Sequence, residues 1–320
     1  IKALEVDLVH IQTPFVAHYA GVKISNILDV PRVETYHTFF EEYLYHYVPF
    51  LPKKLMQTLA RKFSRSQCND VDAIVVPSNP MLEALRNYGI TTNAEIIPTG
   101  INLDKFSHGD GYAFRKKHGI SRTRPTLVHV GRVAFEKNID FIIDALTLVK
   151  KQIDNVLLII AGEGPAEKHL HKQVKAQGLD ENVMFIGYLD RDTELKDCYC
   201  AGDAFVFASR TETQGLVLLE AMALGVPVVS TAIMGTKEIL APGMGALVPQ
   251  DNIQDFSEKV ITILKDNELR LALSTEARMY AKDWSKERFA ERMTEFYINI
   301  LKESGETIMT METASQTADQ

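Results

Sequence analysis

The chain has 320 residues, of which 46% are hydrophobic and 24% are charged, a composition that indicates a globular protein of about two ordinary domains. Its formal net charge of −7 argues against a general nucleic-acid-binding protein, because such proteins present an excess of Lys and Arg to phosphates. No apolar run approaches the roughly 20 residues that a membrane-spanning helix needs.

The three cysteines, Cys68, Cys198 and Cys200, are too few for a disulfide framework, so a reducing, cytoplasmic location is expected. Cys198 and Cys200 lack a second pair of ligands at metal spacing, and no zinc site is predicted.

The first hundred residues alternate short apolar strands with helical patterns, which predicts a parallel sheet covered by helices. The candidate strands are Leu8–Ile11, Val33–Tyr36, Ala73–Pro77 and Glu95–Pro98. Helices are predicted from Gly21 to Leu28 and from Ser78 to Gly89. Four strands are few for a doubly wound domain and the chain does not begin with Met, so we expect an amino-terminal portion to be missing.

His37 directly follows the second candidate strand. Because ligands of parallel sheets bind at the carboxyl ends of the strands, we expect His37 to face a cleft. A lone histidine is more often structural than functional, and the pattern alone leaves both interpretations open.

The segment after His37 is aromatic and basic. It has no acidic residue between Glu42 and Asp70, whereas it contains Lys53, Lys54, Arg61, Lys62 and Arg65. A helix here would place Leu55, Met56, Leu59 and Phe63 on one face and most basic residues on the other. This pattern fits a half-buried helix with a solvated charged face, and it fits equally a helix that lies on anionic lipid.

The segment Pro98–Phe106 breaks the pattern and is predicted to cross between two domains. From Thr126 a second β/α series begins, with candidate strands Leu127–Val130, Val156–Ala161, Val183–Ile186, Phe205–Ala208, Val228–Thr231 and Ala246–Val248. Beyond Ser257 the chain is predicted to be helical to about Leu301, with a kink at Trp284-Ser285.

We therefore assign residues 1–100 together with 285–305 to an amino-terminal domain and residues 101–284 to a carboxy-terminal domain. Residues 306–320 are predicted to be a disordered tail, because they are mostly Thr, Ser, Ala and Gln with few apolar anchors.

A glycine and two cations follow the first strand of the second series. In Gly131-Arg132-Val133-Ala134-Phe135-Glu136-Lys137-Asn138, the side chains of Arg132 and Lys137 could converge on one anion, since both suit phosphate. A solvated basic pair at a strand end is the alternative. Gly162-Glu163-Gly164-Pro165 follows the next strand, but it lacks the third glycine of a dinucleotide fingerprint. A plain strand-to-helix turn explains these glycines as well.

Two carboxylates, Glu212 and Glu220, lie eight positions apart with Gly215 between them. Residues 216–224 are predicted to form a helix, because Leu, Ala, Met and Glu dominate this run before a glycine and a proline stop it. Gly215 would let backbone N–H groups approach a ligand closely, and a helix start above a parallel strand is an anion site. Taken alone, an ordinary cap and a solvated helical glutamate explain this pattern equally well.

Two of these runs together resemble a known signature. Gly-Arg-x-x-x-Glu-Lys-Asn at Gly131, and Glu-x7-Glu at Glu212 followed by Ala-Met-Ala-x-Gly-x-Pro-Val-Val, look like the motifs of the retaining, nucleotide-sugar-dependent glycosyltransferases of family 4. The resemblance extends over nearly the whole chain to about Leu301. It implies the α/β GT-B fold, in which two Rossmann-like domains with parallel sheets face a central cleft. The family has a linker similar to Pro98–Phe106, and its last helix crosses back to the first domain.

The resemblance also implies roles for individual residues. His37 and Glu212 would be catalytic: the histidine would contact the transferred sugar and assist the reaction, and the glutamate would bind the sugar hydroxyls. The nucleotide-sugar donor would be held by Gly131, Arg132, Lys137, Gly162, Tyr188, Gln214, Gly215, Leu216 and Glu220. Among these, Arg132 and Lys137 would bind the pyrophosphate, and Glu220 would bind the ribose.

Within the family, the motifs are most similar to the branch that glucosylates diacylglycerol. The similarity rests on Tyr-His-Thr around His37, on the aromatic and basic segment, and on Glu-Thr-Gln-Gly at Glu212. Many members have Glu-Gly-Phe-Gly instead, a difference that bears on sugar preference more than on reaction class.

The resemblance therefore implies a retaining hexosyltransferase that uses UDP-glucose and diacylglycerol, peripheral to the inner face of a membrane. No obligatory metal is expected for this enzyme, since no Asp-x-Asp cluster occurs. The sequence does not indicate an oligomeric state. The alternatives are a non-transferring GT-B protein such as a nucleotide-sugar epimerase, and an inactive nucleotide-sugar-binding fragment.

Overall fold

The structure, a computed structural model, describes residues 5–39 and 52–305. The aromatic residues 43–50 of the basic segment and the predicted disordered tail 306–320 lie outside the described residues.

The first sheet has four parallel strands in the order β1-β2-β3-β4. The strands are β1 (Val9–Ile11), β2 (Arg32–Thr35), β3 (Ala73–Val76) and β4 (Asn93–Ile96). The described helices that connect them are α1 (Val16–Leu28), α2 (Lys53–Cys68) and α3 (Asn79–Asn87). The predicted strands are confirmed to within two residues.

The helix predicted from Gly21 starts earlier than expected, at Val16. Gly21 lies inside the helix, where a Cβ atom would come 2.5 Å from Cγ1 of Ile11. The glycine therefore allows α1 to pack closely on β1, rather than marking a helix end.

The second sheet has six parallel strands in the order β10-β9-β8-β5-β6-β7. The strands are β5 (Thr126–Val130), β6 (Leu157–Ala161), β7 (Val183–Gly187), β8 (Ala204–Phe207), β9 (Val228–Ser230) and β10 (Ala246–Leu247). The helices are α4 (Gly111–Lys117), α5 (Ile139–Lys150), α6 (Glu167–Ala176), α7 (Glu194–Cys200), α8 (Leu216–Ala223), α9 (Thr236–Leu240), α10 (Ile253–Lys265), α11 (Asn267–Ala281) and α12 (Lys286–Glu303). The strand order reverses between β5 and β8, which is where ligands of such sheets bind.

Helices cover both faces of the second sheet. Val128 and Val130 of β5 pack into one hydrophobic core together with Leu218 of α8. Leu127, on the opposite face of the same strand, packs with Leu146 of α5 in a second core. Burial on both faces explains why these strands are mostly apolar without polar alternation, although β5 also buries the polar side chain of His129.

The last helix returns to the first sheet. Phe289, Phe296 and Ile300 of α12 pack in one core with Val33 and Val75. At the start of α12, the two segments of the chain that cross between the domains run side by side. The N–H of Ile101 donates to the carbonyl of Trp284 at 2.8 Å, and the N–H of Lys286 donates to the carbonyl of Ile101 at 3.0 Å.

The helical stretch predicted beyond Ser257 is interrupted once before the predicted kink. Asp266 ends α10 and caps α11, because its carboxylate accepts from the N–H of Leu269 at 2.9 Å. A short 3-10 helix, Lys282–Trp284, then precedes the turn at Ser285. The exact domain boundaries at 100/101 and 284/285 stay a prediction.

The face of α2 that was predicted to be apolar is only partly buried. Met56 is buried, whereas Leu55 and Leu59 are 47% and 49% exposed. The small side chain of Ala60 is buried as well. Within the described ranges, none of the helices combines the length and the apolar character needed to cross a bilayer.

Candidate active site

The candidate site lies where the strand order reverses. The loop after β5 and the loop after β8 leave the carboxyl edge of the sheet from adjacent strands. Asn138, at the end of the first loop, donates through its side-chain Nδ2 to the carbonyl of Ala208 in the second loop at 3.1 Å. The two loops that carry the main motifs are therefore tied together.

Lys137 and Glu212 meet across these loops. The ammonium of Lys137 pairs with Oε1 of Glu212, and both side chains are largely buried. Lys137 ends a 3-10 helix, Phe135–Lys137, which directs it from the β5 loop toward the β8 loop. A half-buried ammonium next to a carboxylate can bind a phosphate oxygen while the carboxylate accepts from sugar hydroxyls.

The start of α8 lies directly beyond Glu212. Gly215 has φ 103° and ψ 47°, and no side chain caps the helix. The N–H of Leu218 already donates to the carbonyl of Gly215 at 3.0 Å, so the N–H groups of the first turn that can serve an anion are those of Leu216 and Val217. The buried side chain of Gln214 both accepts from the N–H and donates to the carbonyl of Thr99, each at 2.8 Å. The role of its backbone N–H in binding phosphate stays a prediction.

Gly131 and Gly162 lie against each other at the ends of β5 and β6. A Cβ atom on Gly162 would come 1.9 Å from the carbonyl oxygen of Gly131, so the loops can approach this closely only without a side chain there. The N–H of Gly162 donates to the carbonyl of Gly187 at 2.7 Å. Tyr188 follows this contact with a side chain that is 69% exposed. The glycines thus let three loops approach closely, and the predicted contact of Gly131 and Gly162 with the donor stays a prediction.

Glu220 is not a solvated helical residue, since its side chain is only 3% exposed. Its Oε2 accepts from the hydroxyl of Tyr199 at 2.8 Å, and its Oε1 pairs with the guanidinium of Arg191. Burial raises the pKa of Glu220, and the charge of Arg191 opposes that rise. Glu220 therefore forms a cluster with Tyr199 and Arg191. Arg132, which was predicted to bind the pyrophosphate, is exposed on the β5 loop.

His37 comes from the first domain and lies beside the β8 loop. Its carbonyl accepts from Oγ1 of Thr213 at 3.1 Å, next to Glu212 in the chain. Its ring Nε2 lies 3.2 Å from Oε1 of Gln12. Burial lowers the pKa of His37, which favours the neutral imidazole. The two residues predicted to be catalytic are thus on loops that touch across the domains.

The predicted membrane-binding residues lie on α2, in the first domain. The side chains of Lys54, Arg61, Lys62 and Arg65 are exposed; Lys53 begins the helix, but its side chain is outside what the structure describes. The guanidinium of Arg61 lies 5.6 Å from the ring centre of Tyr88.

In the described part of the chain, no group of three or more His, Cys, Asp or Glu side chains is arranged to hold a metal ion. The expected independence from metal stays a prediction. The roles assigned to single residues also stay predictions.

Sequence analysis missed the partners of several site residues. Arg191 and Tyr199 bind Glu220, although neither belongs to a recognisable motif. Glu238 accepts from the backbone N–H of Asn79 at 2.5 Å, which joins the two domains. The one feature of the sequence that pointed to Arg191 was its position shortly after Tyr188, which was predicted to hold the donor.

Comparison with known proteins identifies the family. Residues 112–280 match the model of the glycosyl transferases group 1, and residues 1–105 match that of glycosyltransferase family 4. The alpha-monoglucosyldiacylglycerol synthase of Streptococcus pneumoniae is 32% identical over 311 residues, which cover 94% of this chain and 68% of that relative. The synthase of the same name from Acholeplasma laidlawii is 26% identical, over 96% of this chain and 79% of that protein.

A solved structure shows the same fold. Anabaena HepE in complex with UDP and glucose superposes with a TM-score of 0.79 at 20% identity, over 92% of this chain and 78% of that one. This likeness confirms the GT-B fold with two Rossmann-like domains. By its matches over both domains, the chain belongs to the glycosyl transferases group 1 and is a glycosyltransferase.

Proposed function

We propose that this glycosyltransferase moves glucose from UDP-glucose to membrane diacylglycerol with retention of the anomeric configuration. The observation that carries the donor half of the proposal is the Lys137–Glu212 pair beside the uncapped start of α8. An ammonium and a helix N-terminus at one sheet edge stabilise the charge that develops on a departing diphosphate.

Retention and the acceptor are supported by the relatives. Two of them are named alpha-monoglucosyldiacylglycerol synthases, and the glucose of UDP-glucose is itself α-linked. If this chain makes the same product, the anomeric configuration is kept. Glu212 would then bind the sugar hydroxyls and His37 would contact the sugar from the opposite domain.

The test is incubation with UDP-glucose, UDP-galactose, UDP-N-acetylglucosamine and GDP-mannose, with diacylglycerol in anionic vesicles. We expect a glucolipid from UDP-glucose alone, with an α-linkage by NMR. A β-linked product would contradict retention. Isomerised donor sugar without any lipid product would favour an epimerase, and nucleotide binding in calorimetry without turnover would favour an inactive binding module.

We propose further that α2 docks the enzyme on anionic membrane as a peripheral protein. Its exposed Leu55 and Leu59 adjoin Phe63, and the ring of Phe63 stacks on that of Phe15 at 4.9 Å. Phe15 is itself exposed, as are Val16 and Tyr19 of α1. Exposed apolar side chains with neighbouring Lys and Arg favour the bilayer interface.

Replacing Lys54 and Lys62 with Ser should weaken binding to vesicles with phosphatidylglycerol by roughly 30-fold, since each cation contributes about 1 kcal/mol near such a surface. Adding Lys53→Ser and Arg61→Ser should weaken it further. The matched control is Lys168→Ser with Lys172→Ser, which removes two exposed lysines from α6. Equal sedimentation of the α2 and α6 variants with vesicles would refute the docking role of α2.

A further inference from the structure

A small cavity opens at the carboxyl edge of the first sheet, opposite the donor loops. It lies between the loop after β1, the residues that follow β2 and the end of α2, and it holds about 120 Å³. Ligand pockets for nucleotide-sized molecules have volumes of roughly 300–1,000 Å³. The cavity is therefore too small for the donor, but it is large enough for a small polar group. His37 is one of its lining residues.

Gln67 supplies an unused hydrogen-bond donor to this cavity. The residue lines the cavity and is 4% exposed. Among the described residues, its Nε2 has no hydrogen-bond partner. A buried amide without a partner costs the fold about 1–3 kcal/mol. Such groups are rare in native proteins, and those that occur call for an explanation such as a catalytic role or a bound water or ion.

Glu34 supplies an acceptor to the same cavity. The carboxylate is buried, and its Oε2 accepts from Nδ1 of His18 at 2.9 Å. The other ring nitrogen of His18 lies 3.4 Å from Oδ2 of Asp70, which fixes the orientation of the imidazole. Glu34 therefore presents a positioned oxygen acceptor in the cavity that Gln67 also lines, together with His37 and Gln12.

We propose that this cavity binds a hydroxyl of the acceptor: Nε2 of Gln67 donates to the hydroxyl oxygen, and the carboxylate of Glu34 accepts its proton in a hydrogen bond. A hydroxyl both donates and accepts, so it satisfies the two side chains together. A phosphate or carboxylate would meet the charge of Glu34. The group is thus uncharged, as is the free hydroxyl of a diacylglycerol. This inference rests on the proposed function and adds two acceptor-binding residues to it.

The test compares Gln67→Leu with Gln173→Leu, a matched change at a Gln of α6 that binds Asp144. Gln67→Leu should raise the KM for 1,2-dioctanoylglycerol at least 10-fold and leave the Kd of UDP unchanged. It should also raise the Tm, because it removes a buried donor that is unpaired without acceptor. Glu34→Gln, which keeps an oxygen for His18, should raise the same KM.

A lower Tm with an unchanged KM in Gln67→Leu would mean that Gln67 is merely structural, and it would overturn the inference while the proposed function stands. If the wild-type enzyme transfers to no diacylglycerol, the proposed acceptor is wrong. The cavity is then tested with glycerol by saturation-transfer NMR. Loss of the glycerol signal in Gln67→Leu but not in Gln173→Leu supports the hydroxyl site, and equal signals in the three proteins overturn it.

Discussion

At the residue scale, the candidate donor site depends on buried charges that satisfy one another until a ligand arrives. Lys137 pairs with Glu212, and Glu220 is held by Tyr199 and Arg191. Buried ion pairs such as these add little to stability. Their cations, however, suit the phosphates of a nucleotide sugar, and their carboxylates suit its hydroxyls. The ion pair positions the ammonium of Lys137 at the edge of the sheet, where an oxygen of a diphosphate can take the place of the carboxylate.

Lys137→Met should lower kcat/KM for transfer about 10²- to 10³-fold, the usual effect of removing one group that stabilises developing negative charge. The Tm should fall as well, because removing one partner of a largely buried ion pair leaves the carboxylate of Glu212 uncompensated, so kcat/KM is compared at a temperature at which both proteins are folded. The control is Lys265→Met, which removes a lysine that bonds Gln152 far from the loops. Wild-type turnover in Lys137→Met would contradict the role of Lys137 in the site.

His129 makes stability depend on pH. Burial lowers its pKa to about 4, whereas an unfolded histidine titrates near 6.5. The unfolded chain therefore binds a proton first as the pH falls, and stability is lost between about pH 6.5 and pH 4. We expect a loss of about 2 kcal/mol between pH 7 and pH 5 from this residue alone, measured by urea unfolding.

His129→Leu should remove that part of the pH dependence, whatever its effect at pH 7. The exposed His171, changed to Leu, should leave the dependence as it is. Burial also lowers the pKa of His10 to about 4, so some dependence on pH will remain. If the free energy of unfolding falls by the same amount between pH 7 and pH 5 in His129→Leu and in the wild type, the prediction is wrong.

At the element scale, the start of α8 is shaped by one glycine. Gly215 adopts φ 103°, a region that side chains rarely occupy, and a Cβ atom there would come 3.0 Å from Cγ2 of Thr236. An amino acid with a side chain would rotate the first turn of α8, and the N–H groups would no longer point toward the edge of the sheet.

Gly215→Ala should therefore weaken UDP binding in calorimetry by 10-fold or more, and cost about 1–2 kcal/mol of stability. Gly243→Ala is the matched control. Gly243 also has a positive φ, 68°, but no atom lies within 4 Å of its would-be Cβ. It should lose comparable stability and keep UDP affinity. Equal UDP affinity in the two variants would argue against α8 as the phosphate site.

At the scale of the whole molecule, a short row of hydrogen bonds joins the two domains around the predicted catalytic residues. Oγ of Ser78 donates to the carbonyl of Thr213 at 2.7 Å, and Nδ2 of Asn79 donates to Glu238 at 2.6 Å. These contacts lie at the start of α3 and close the cleft from its rim. Separating the domains for donor entry has to break these hydrogen bonds.

Glu238→Ala should open the molecule, because a hydrogen bond to a charged group contributes about 1.5–3 kcal/mol. We expect a larger radius of gyration in small-angle X-ray scattering and a higher KM for the donor. Asn79→Ala should have a smaller effect, because the backbone N–H of Asn79 still donates to Glu238. The double variant should resemble Glu238→Ala alone, since it removes no further contact. The control is Glu268→Ala, an exposed carboxylate on α11. An unchanged radius in Glu238→Ala would show that this contact does not hold the domains.

The sequence by itself determined the two parallel sheets, the loops that carry Lys137 and Glu212, and the helix start at Gly215. These are local properties, because apolar runs, glycines and helix stops act over a few residues. The family signature supplied the GT-B fold and the reaction class.

Only the tertiary structure decided which side chains meet. Neither the burial of Glu220 by Tyr199 and Arg191, nor the donor and acceptor that Gln67 and Glu34 present to one cavity, follows from spacing along the chain. The exposure of Leu55 and Leu59 on α2 likewise became known only from the structure. Contacts between residues distant in sequence depend on how whole elements pack, and no short window of sequence contains that information.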